Sequence, residues 1–377
     1  MRIGVPKEVK VGEFRVGMTP ASIREALRHG HTVLVEANAG IGIGATDQDY
    51  EKAGATIAPD AATVWREAEL VVKVKEPQPD ERAQLHPGQT LFTYLHLAPD
   101  PRQTKDLMDS DACCIAYETV TSAGPGSGSG ELPLLHPMSE VAGRMSVQVA
   151  AHALEREAGG RGVLLGGVPG VAPAKVTIIG GGTVGANAAL MAIGSGAEVV
   201  ILDKNNTTLR GLNARFGARI KTIYSNADTL EEHVLSADVV IGGVLIPGAA
   251  APKLVTEDMI KAMRAGSVVV DVAIDQGGCF TTSHGTSHAA PTYVLHDVVH
   301  YAVTNMPGAV PHTSTYALGN ATLPYILAIA DKGPRQAMRD DPDLRNGLNV
   351  CDGKITCRAV AEAQGLDHTA PEKLLSV

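Results

Sequence analysis

Six residues, Gly180-Gly181-Gly182-Thr183-Val184-Gly185, constrain this chain more than any other part of it. They fit G-x-G-x-x-G, follow the apolar run Val176–Ile179 and open a stretch of small residues, Ala186–Ser195. Asp203 closes the next predicted strand, 18 residues after the last glycine. A strand, a glycine turn, a helix and an acidic residue at this spacing predict a dinucleotide-binding βαβ unit. Gly180 permits the tight turn, Gly182 lets the backbone approach a pyrophosphate, and Gly185 allows close helix–strand packing. Amides at the helix start bind phosphate, and Asp203 accepts hydrogen bonds from ribose hydroxyls. A carboxylate there repels a 2′-phosphate, which favours NAD over NADP, a preference weakened slightly by Lys204. The competing readings are a glycine turn without a ligand and an aspartate that merely ends a strand or caps a helix.

Around this motif, short apolar runs alternate with helical stretches. In the first 120 residues strands are predicted at Arg2–Val5, Thr32–Val35, Leu70–Lys75, Thr90–Leu95 and Cys113–Tyr117. From Lys175 a second series follows: Val176–Ile179, Glu198–Leu202, Ile220–Tyr224, Asp238–Gly242, Ser267–Val272 and Thr292–Leu295. This alternation predicts an α/β protein with two Rossmann-like, doubly wound parallel-sheet domains joined by long helices. Ser122–Gly130 is glycine- and serine-rich, with linker chemistry. After it Ser139 is expected to cap a long helix, Glu140 to about Glu157. The segment from about Pro311 reads as helical and then as polar surface.

Composition narrows the function. The chain has 377 residues, 44% of them apolar, and 32 Lys and Arg against 41 Asp and Glu give a net charge of −9. Such a chain is neither disordered nor suited to a phosphate backbone, and 3% aromatic residues are too few for base-stacking platforms. No nucleic-acid partner is therefore expected. No apolar run spans a bilayer and the N-terminus lacks a signal-peptide core, so no membrane partner is expected and the cytoplasm is the expected location. The richest apolar stretch, 316–330, is interrupted by Asn320 and Pro324. Five cysteines lack C-x-x-C spacing, which leaves the zinc-ribbon and redox readings without their pattern. His284, His288, His296 and His300 tempt a metal reading, but Gly285 and Pro291 break the segment, and no metal is expected.

Two polar residues stand where predicted strands of the first half end, Lys75 in LVVKVK and His96 after TLFTYL. Ligands of open α/β sheets bind outside such carboxyl ends. Taken alone, Lys75 fits equally a lysine snorkelling at a sheet edge, and His96 a structural histidine bonded to a loop carbonyl.

The motifs Gly4-Val5-Pro6-Lys7-Glu8, Gly12-Glu13-Phe14-Arg15-Val16, Thr19-Pro20, Val74-Lys75-Glu76-Pro77 and Thr93-Tyr94-Leu95-His96 resemble those of the alanine dehydrogenase and transhydrogenase alpha-subunit family. So do Pro137–Gly143, Gly166–Gly170, Asp271–Gly278, Asn305-Met306-Pro307 and Thr313–Leu318. Together they look most like alanine dehydrogenases, over nearly the whole chain. Gly12 departs from the more usual Asn, Val184 from the commoner Ala, and Ser122–Gly130 is longer than usual.

The resemblance implies reversible oxidative deamination of L-alanine to pyruvate and ammonium, with hydride transfer to NAD. It implies Arg15 and Lys75 as substrate-binding cations, and His96 and Asp275 as catalytic groups. For the cofactor it adds Ser139, Thr183, Val184, Ser225, Val244, Leu245, Asn305 and Met306 to Gly180, Gly182, Gly185 and Asp203. It implies a discontinuous substrate domain, 1–133 with 313–377, around an NAD-binding domain, 134–312, in a homohexamer acting on small molecules. The alternatives are a soluble NAD-binding component of a proton-translocating transhydrogenase, and a saccharopine- or opine-type dehydrogenase with a larger substrate.

Overall fold

The computed structural model describes residues 1–122, 131–244 and 251–375. Leu245 and all of the Gly/Ser stretch after Ser122 lie outside the described residues. In chain order the first strands are β1 (Arg2–Val5), β2 (Thr32–Glu36), β3 (Thr56–Ala58), β4 (Leu70–Val72), β5 (Thr90–Thr93) and β6 (Cys113–Ala116). Next come β7 (Lys175–Ile179), β8 (Glu198–Asp203), β9 (Ile220–Tyr224), β10 (Val239–Gly242), β11 (Val268–Asp271), β12 (Thr292–Leu295) and β13 (Val298–Tyr301). The last are β14 (Leu348–Cys351) and β15 (Lys354–Ile355).

The chain divides into two compact units, Met1–Met138 with Val310–Val377, and Ser139–Ala309. In the first, the sheet order is β15-β14-β6-β5-β4-β1-β2-β3. The six strands β1 to β6 are parallel, with Ile3 opposite both Val33 and Leu70, and they are short and apolar because helices cover both faces. Trp65, Tyr50, Tyr117 and Phe92 are fully buried among them. The final segment is not the polar surface expected. Strand β14 extends this sheet antiparallel to β6, β15 pairs antiparallel with β14, and a disulfide links Cys113 of β6 to Cys351 of β14. LNVC and KI are too short to stand out as apolar runs, and no cysteine spacing marks a pair 238 residues apart.

The second unit has the order β12-β13-β11-β10-β7-β8-β9, with only β12 antiparallel. Its β13 was not expected from the sequence. Buried His300 interrupts the apolar pattern there, satisfied by Thr282 Oγ1 at 2.9 Å and the Val298 carbonyl at 2.9 Å. In both sheets the first six parallel strands run in the spatial order third, second, first, fourth, fifth, sixth, so each has its switch point between its first and fourth strands.

Ser139 is not a helix cap. The helix runs His136–Ala153, placing Ser139 one turn inside it and ending before Glu157. Pro137, with its fixed φ and missing N–H, suits the first turn better than the interior, which moves the start upstream. The helix Pro311–Lys332 continues through Asn320 and Pro324, and its Leu318, Ile326 and Ile329 join the core of the first unit. Among the described residues no helix is long and apolar enough to cross a membrane.

Candidate active site

In the second unit, β7 ends at Ile179 and the helix Thr183–Gly194 begins after the turn. Gly180 has φ +97°, a left-handed conformation only glycine adopts freely. A Cβ on Gly185 would lie 1.9 Å from the Gly180 carbonyl oxygen, so this glycine is demanded by packing. A Cβ on Gly182 would meet nothing within 4 Å, so the turn leaves open space in front of the helix N-terminus. Asp203 stands at the end of β8, its Oδ2 accepting the Gly181 amide at 2.7 Å and its Oδ1 that of Asn205 at 2.7 Å. Open space, helix amides and a carboxylate at the neighbouring strand end match what a dinucleotide requires.

Of the remaining expected cofactor residues, Thr183, Val184, Ser225, Val244, Asn305 and Met306 belong to the same unit. Thr183 and Val184 open the helix, and the Val184 side chain abuts Gly243, just beyond β10 and next to Val244. The Ser225 amide donates to the Asp203 carbonyl at 3.0 Å. Asp275 lies in the turn after β11 and accepts the Asn305 amide at 3.1 Å. That bond holds Asn305 at φ +57°, next to buried Met306, while the Asn305 carbonyl meets His288 Nε2 at 3.2 Å. Of the other three histidines, His296 meets Glu257, while His284 and His300 both stack on Tyr293 and His300 also meets Thr282.

In the first unit, the polar candidates gather beyond the carboxyl ends of adjacent strands. Just past β4, Lys73 is fully buried on Glu8 (2.8 Å) and Glu81 (3.1 Å). Burial works against the Lys73 charge, but the two carboxylates prevail and its pKa is raised. Burial likewise holds Glu81 above the usual carboxylate range. Glu8 also accepts the Val74 amide at 2.6 Å and faces that of Lys75 at 3.4 Å, while Thr93 donates to the Lys75 carbonyl at 2.9 Å. Lys75 is half-buried, and with Lys10 it keeps Glu76 ionised below the usual range despite that carboxyl's burial.

Arg15 is buried, with two of its guanidinium nitrogens each 2.6 Å from Glu13 oxygens and Nη1 3.0 Å from Met138 Sδ. Desolvation opposes its charge, yet the Glu13 fork raises its pKa. Its segment is seated by Gly17, where a Cβ would lie 2.3 Å from the Val72 carbonyl oxygen at the end of β4. His96 follows β5 with a half-exposed ring stacked on Tyr94, centroids 5.7 Å apart and planes 4° apart. Tyr94 lies within electrostatic reach of Arg15 and donates to the Leu134 carbonyl at 2.5 Å. The structure thus gathers Arg15, Lys75 and His96 in one unit, and Asp275 with the glycine turn in the other.

Sequence reasoning missed Glu8, Glu13 and Glu118, the carboxylates that grip the backbone beside these cations. One signal was available. Glu118 follows β6 as His96 follows β5 and Lys75 follows β4, so three adjacent strands each deliver a polar residue at the same end.

Two doubly wound units, one with a dinucleotide-binding turn and one with clustered cations at strand ends, define a two-domain α/β dinucleotide-binding enzyme. Residues 4–142 match the N-terminal domain model of the alanine dehydrogenase/PNT family, and residues 146–358 match its C-terminal domain model. The chain belongs to this family. It is 59% identical to an alanine dehydrogenase of Halomonas elongata, over the full length of both, and 54% identical to one of Bacillus subtilis, over all of this chain and 98% of that one. A solved L-alanine dehydrogenase superposes with a TM-score of 0.93 at 52% identity, covering 97% of this chain and 99% of that one. A transhydrogenase from Sinorhizobium meliloti shares the fold, with a TM-score of 0.81 at 24% identity over 95% and 100% of the two chains.

Proposed function

We propose that this protein is an NAD-dependent L-alanine dehydrogenase, interconverting L-alanine, NAD and water with pyruvate, ammonium, NADH and a proton. The observation that carries the reading is the cluster of Arg15, Lys75 and His96 beyond the strand ends of the first unit, in a chain matched from end to end by alanine dehydrogenases. The transhydrogenase alternative is not favoured, because its likeness extends to the fold alone. Bound NAD would supply the acceptor for the hydrogen on the alanine Cα, and Gly180, Gly182, Thr183, Val184, Gly185 and Asp203 are the residues that would hold it.

The chain's own groups suit the rest of the chemistry. Lys75, a compact cation, binds the substrate carboxylate or the developing carbonyl oxygen. Arg15 keeps its charge in a buried setting, oriented by Glu13, and offers its planar guanidinium to the substrate carboxylate. His96 exchanges the proton as amine, carbinolamine and ketone interconvert. Asp275 fixes the backbone of Asn305 and assists proton transfer on the cofactor side. Ser139, Ser225, Val244, Leu245 and Met306 complete the cofactor site in this reading. The domain roles follow: residues 1–133 with 313–377 bind substrate, and 134–312 bind NAD. A homohexamer in the cytoplasm is part of the same proposal, which light scattering on the purified protein would test.

The deciding assay follows the absorbance of reduced cofactor. Pyruvate, ammonium and NADH should be consumed together, NADPH should be a poor substitute because of Asp203, and bulkier keto acids should react slowly. No turnover with pyruvate and ammonium overturns the reading.

A further inference from the structure

His96 is held in a conformation that its own chemistry does not favour. Its φ is +51°, in the left-handed region that costs a non-glycine residue free energy and persists only where neighbours enforce it. The enforcement comes largely from one side chain. Glu118, on the short turn Tyr117–Thr119 after β6, accepts the His96 amide through Oε1 at 2.6 Å. The same carboxylate accepts the Leu95 amide at 3.1 and 3.2 Å. Gln103 Nε2 takes the Leu95 carbonyl at 2.6 Å, so the residue before His96 is fixed on both of its polar groups. Glu118 Oε1 then lies 3.8 Å from His96 Nδ1, and its side chain is only 15% exposed.

We propose that Glu118 is the positioning residue for His96, holding its strained backbone and setting which ring nitrogen bears the proton. A carboxylate facing Nδ1 favours the tautomer with hydrogen on Nδ1, which leaves the Nε2 lone pair to take a proton. When Nε2 is protonated, the new imidazolium charge arises beside a fixed, largely buried anion. The proton is released from Nε2 in the reverse direction, and Glu118 itself exchanges none. The 3.8 Å separation is an ion-pair distance, short enough to act on the ring charge without tying the ring down. Tyr94 and Tyr117 complete the arrangement, because Tyr94 stacks on the His96 ring and packs edge-on against Tyr117, the neighbour of Glu118.

This inference rests on the proposed acid/base role of His96, and the experiment separates the two. Glu118→Gln is nearly isosteric and keeps an oxygen to accept an amide, but it removes the charge. Steady-state kinetics with pyruvate, ammonium and NADH should show kcat falling about 10- to 100-fold, part of what a positioned acid/base supplies. The KM for pyruvate and the Kd for NADH should stay within about twofold, since neither binding contact is changed. Glu118→Asp, which restores the charge, should recover part of the lost kcat. In a His96→Ala background, Glu118→Gln should have no further effect on the residual rate. A near-normal kcat for Glu118→Gln, with His96→Ala inactive, overturns the Glu118 proposal alone. A near-normal rate for His96→Ala overturns the underlying assignment.

Discussion

The two sheets share one topology and use their switch points in opposite ways. In the second unit, the point between β7 and β10 is flanked by Gly180 and Gly243, so close that a Cβ on Gly180 would lie 2.9 Å from the Gly243 carbonyl oxygen. Side chains have been removed there, and backbone amides and space remain. In the first unit, the equivalent point between β1 and β4 is filled by side chains: Glu8 after β1 meets Lys73 after β4, with Glu81 behind them. The crevice that topology provides is closed by a buried ionic triad, and the candidate groups stand further on, Lys75 two residues past Lys73 and His96 three past the end of β5. One fold thus yields an open glycine turn, the proposed phosphate cradle, by subtraction and a charged floor by addition. The same switch point is left open in one unit and is filled by buried charge in the other.

The sharpest way to break this contrast is at His96, where the added side chain is expected to do chemistry. His96→Ala should lower kcat by about 10²–10⁴-fold while NADH still binds, measured by fluorescence titration. Equal losses in both would place His96 in binding instead. Lys73→Met tests whether the triad is a support. Removing the cation leaves Glu8 and Glu81 buried without it, and breaking such a pair costs about 3–5 kcal/mol. Denaturant unfolding should show this loss, with the NADH affinity of the folded protein unchanged. Retained stability would make the triad incidental.

Glycine replacements probe the other unit by the same logic. Gly185→Ala places a Cβ 1.9 Å from the Gly180 carbonyl oxygen, and overpacking of this kind costs about 1–3 kcal/mol or more. Gly182→Val meets no such obstacle, and its φ of −70° suits any residue. It should cost stability only through the poorer helix N-cap, less than Gly185→Ala, while weakening NADH binding at least about tenfold, because the new side chain enters the space argued for the pyrophosphate. If both variants bind NADH normally, the cradle is misplaced.

How much of this was legible in the sequence differs between the units for a physical reason. Glycines and apolar runs are local signals, so the turn at 180–185 and most strands could be read directly. Asp203 was legible because its partner is a motif at fixed spacing. Glu118 was not, since it acts through amides 22 and 23 residues away, and neither a carboxylate nor an amide advertises its partner. Glu8 reaches Val74 across 66 residues in the same way. Ser139 shows the opposite failure: with Pro137 favouring the first turn, the helix starts at His136, four positions nearer the N-terminus than Glu140, and a good capping residue lies inside it. The buried His300 hid β13, because a polar residue satisfied by Thr282 and a carbonyl breaks an apolar pattern without breaking a strand.

The smallest expected effect is a control on the charged unit, asking whether its carboxylates matter through burial or merely through number. Asp331, on the helix Pro311–Lys332, bonds His29 Nδ1 at 2.9 Å and His31 Nε2 at 2.8 Å. These bonds, that to His29 foremost, hold its pKa below the usual 3.8. A carboxylate whose pKa falls on folding adds stability above its unfolded value and loses it as pH drops through the folded one. The stability that Asp331 gains from its lowered pKa, and with it the gap between the wild type and Asp331→Asn, should therefore close as the pH falls below about 4. Its size should be small, because the side chain is 37% exposed and solvent screens the pair: about 0–1 kcal/mol, or no more than about 2 °C in melting temperature. A loss as large as that expected for Lys73→Met would mean that exposed and buried carboxylates contribute alike in this unit. The contrast between a floor built of buried charge and a surface merely decorated with it would then fail.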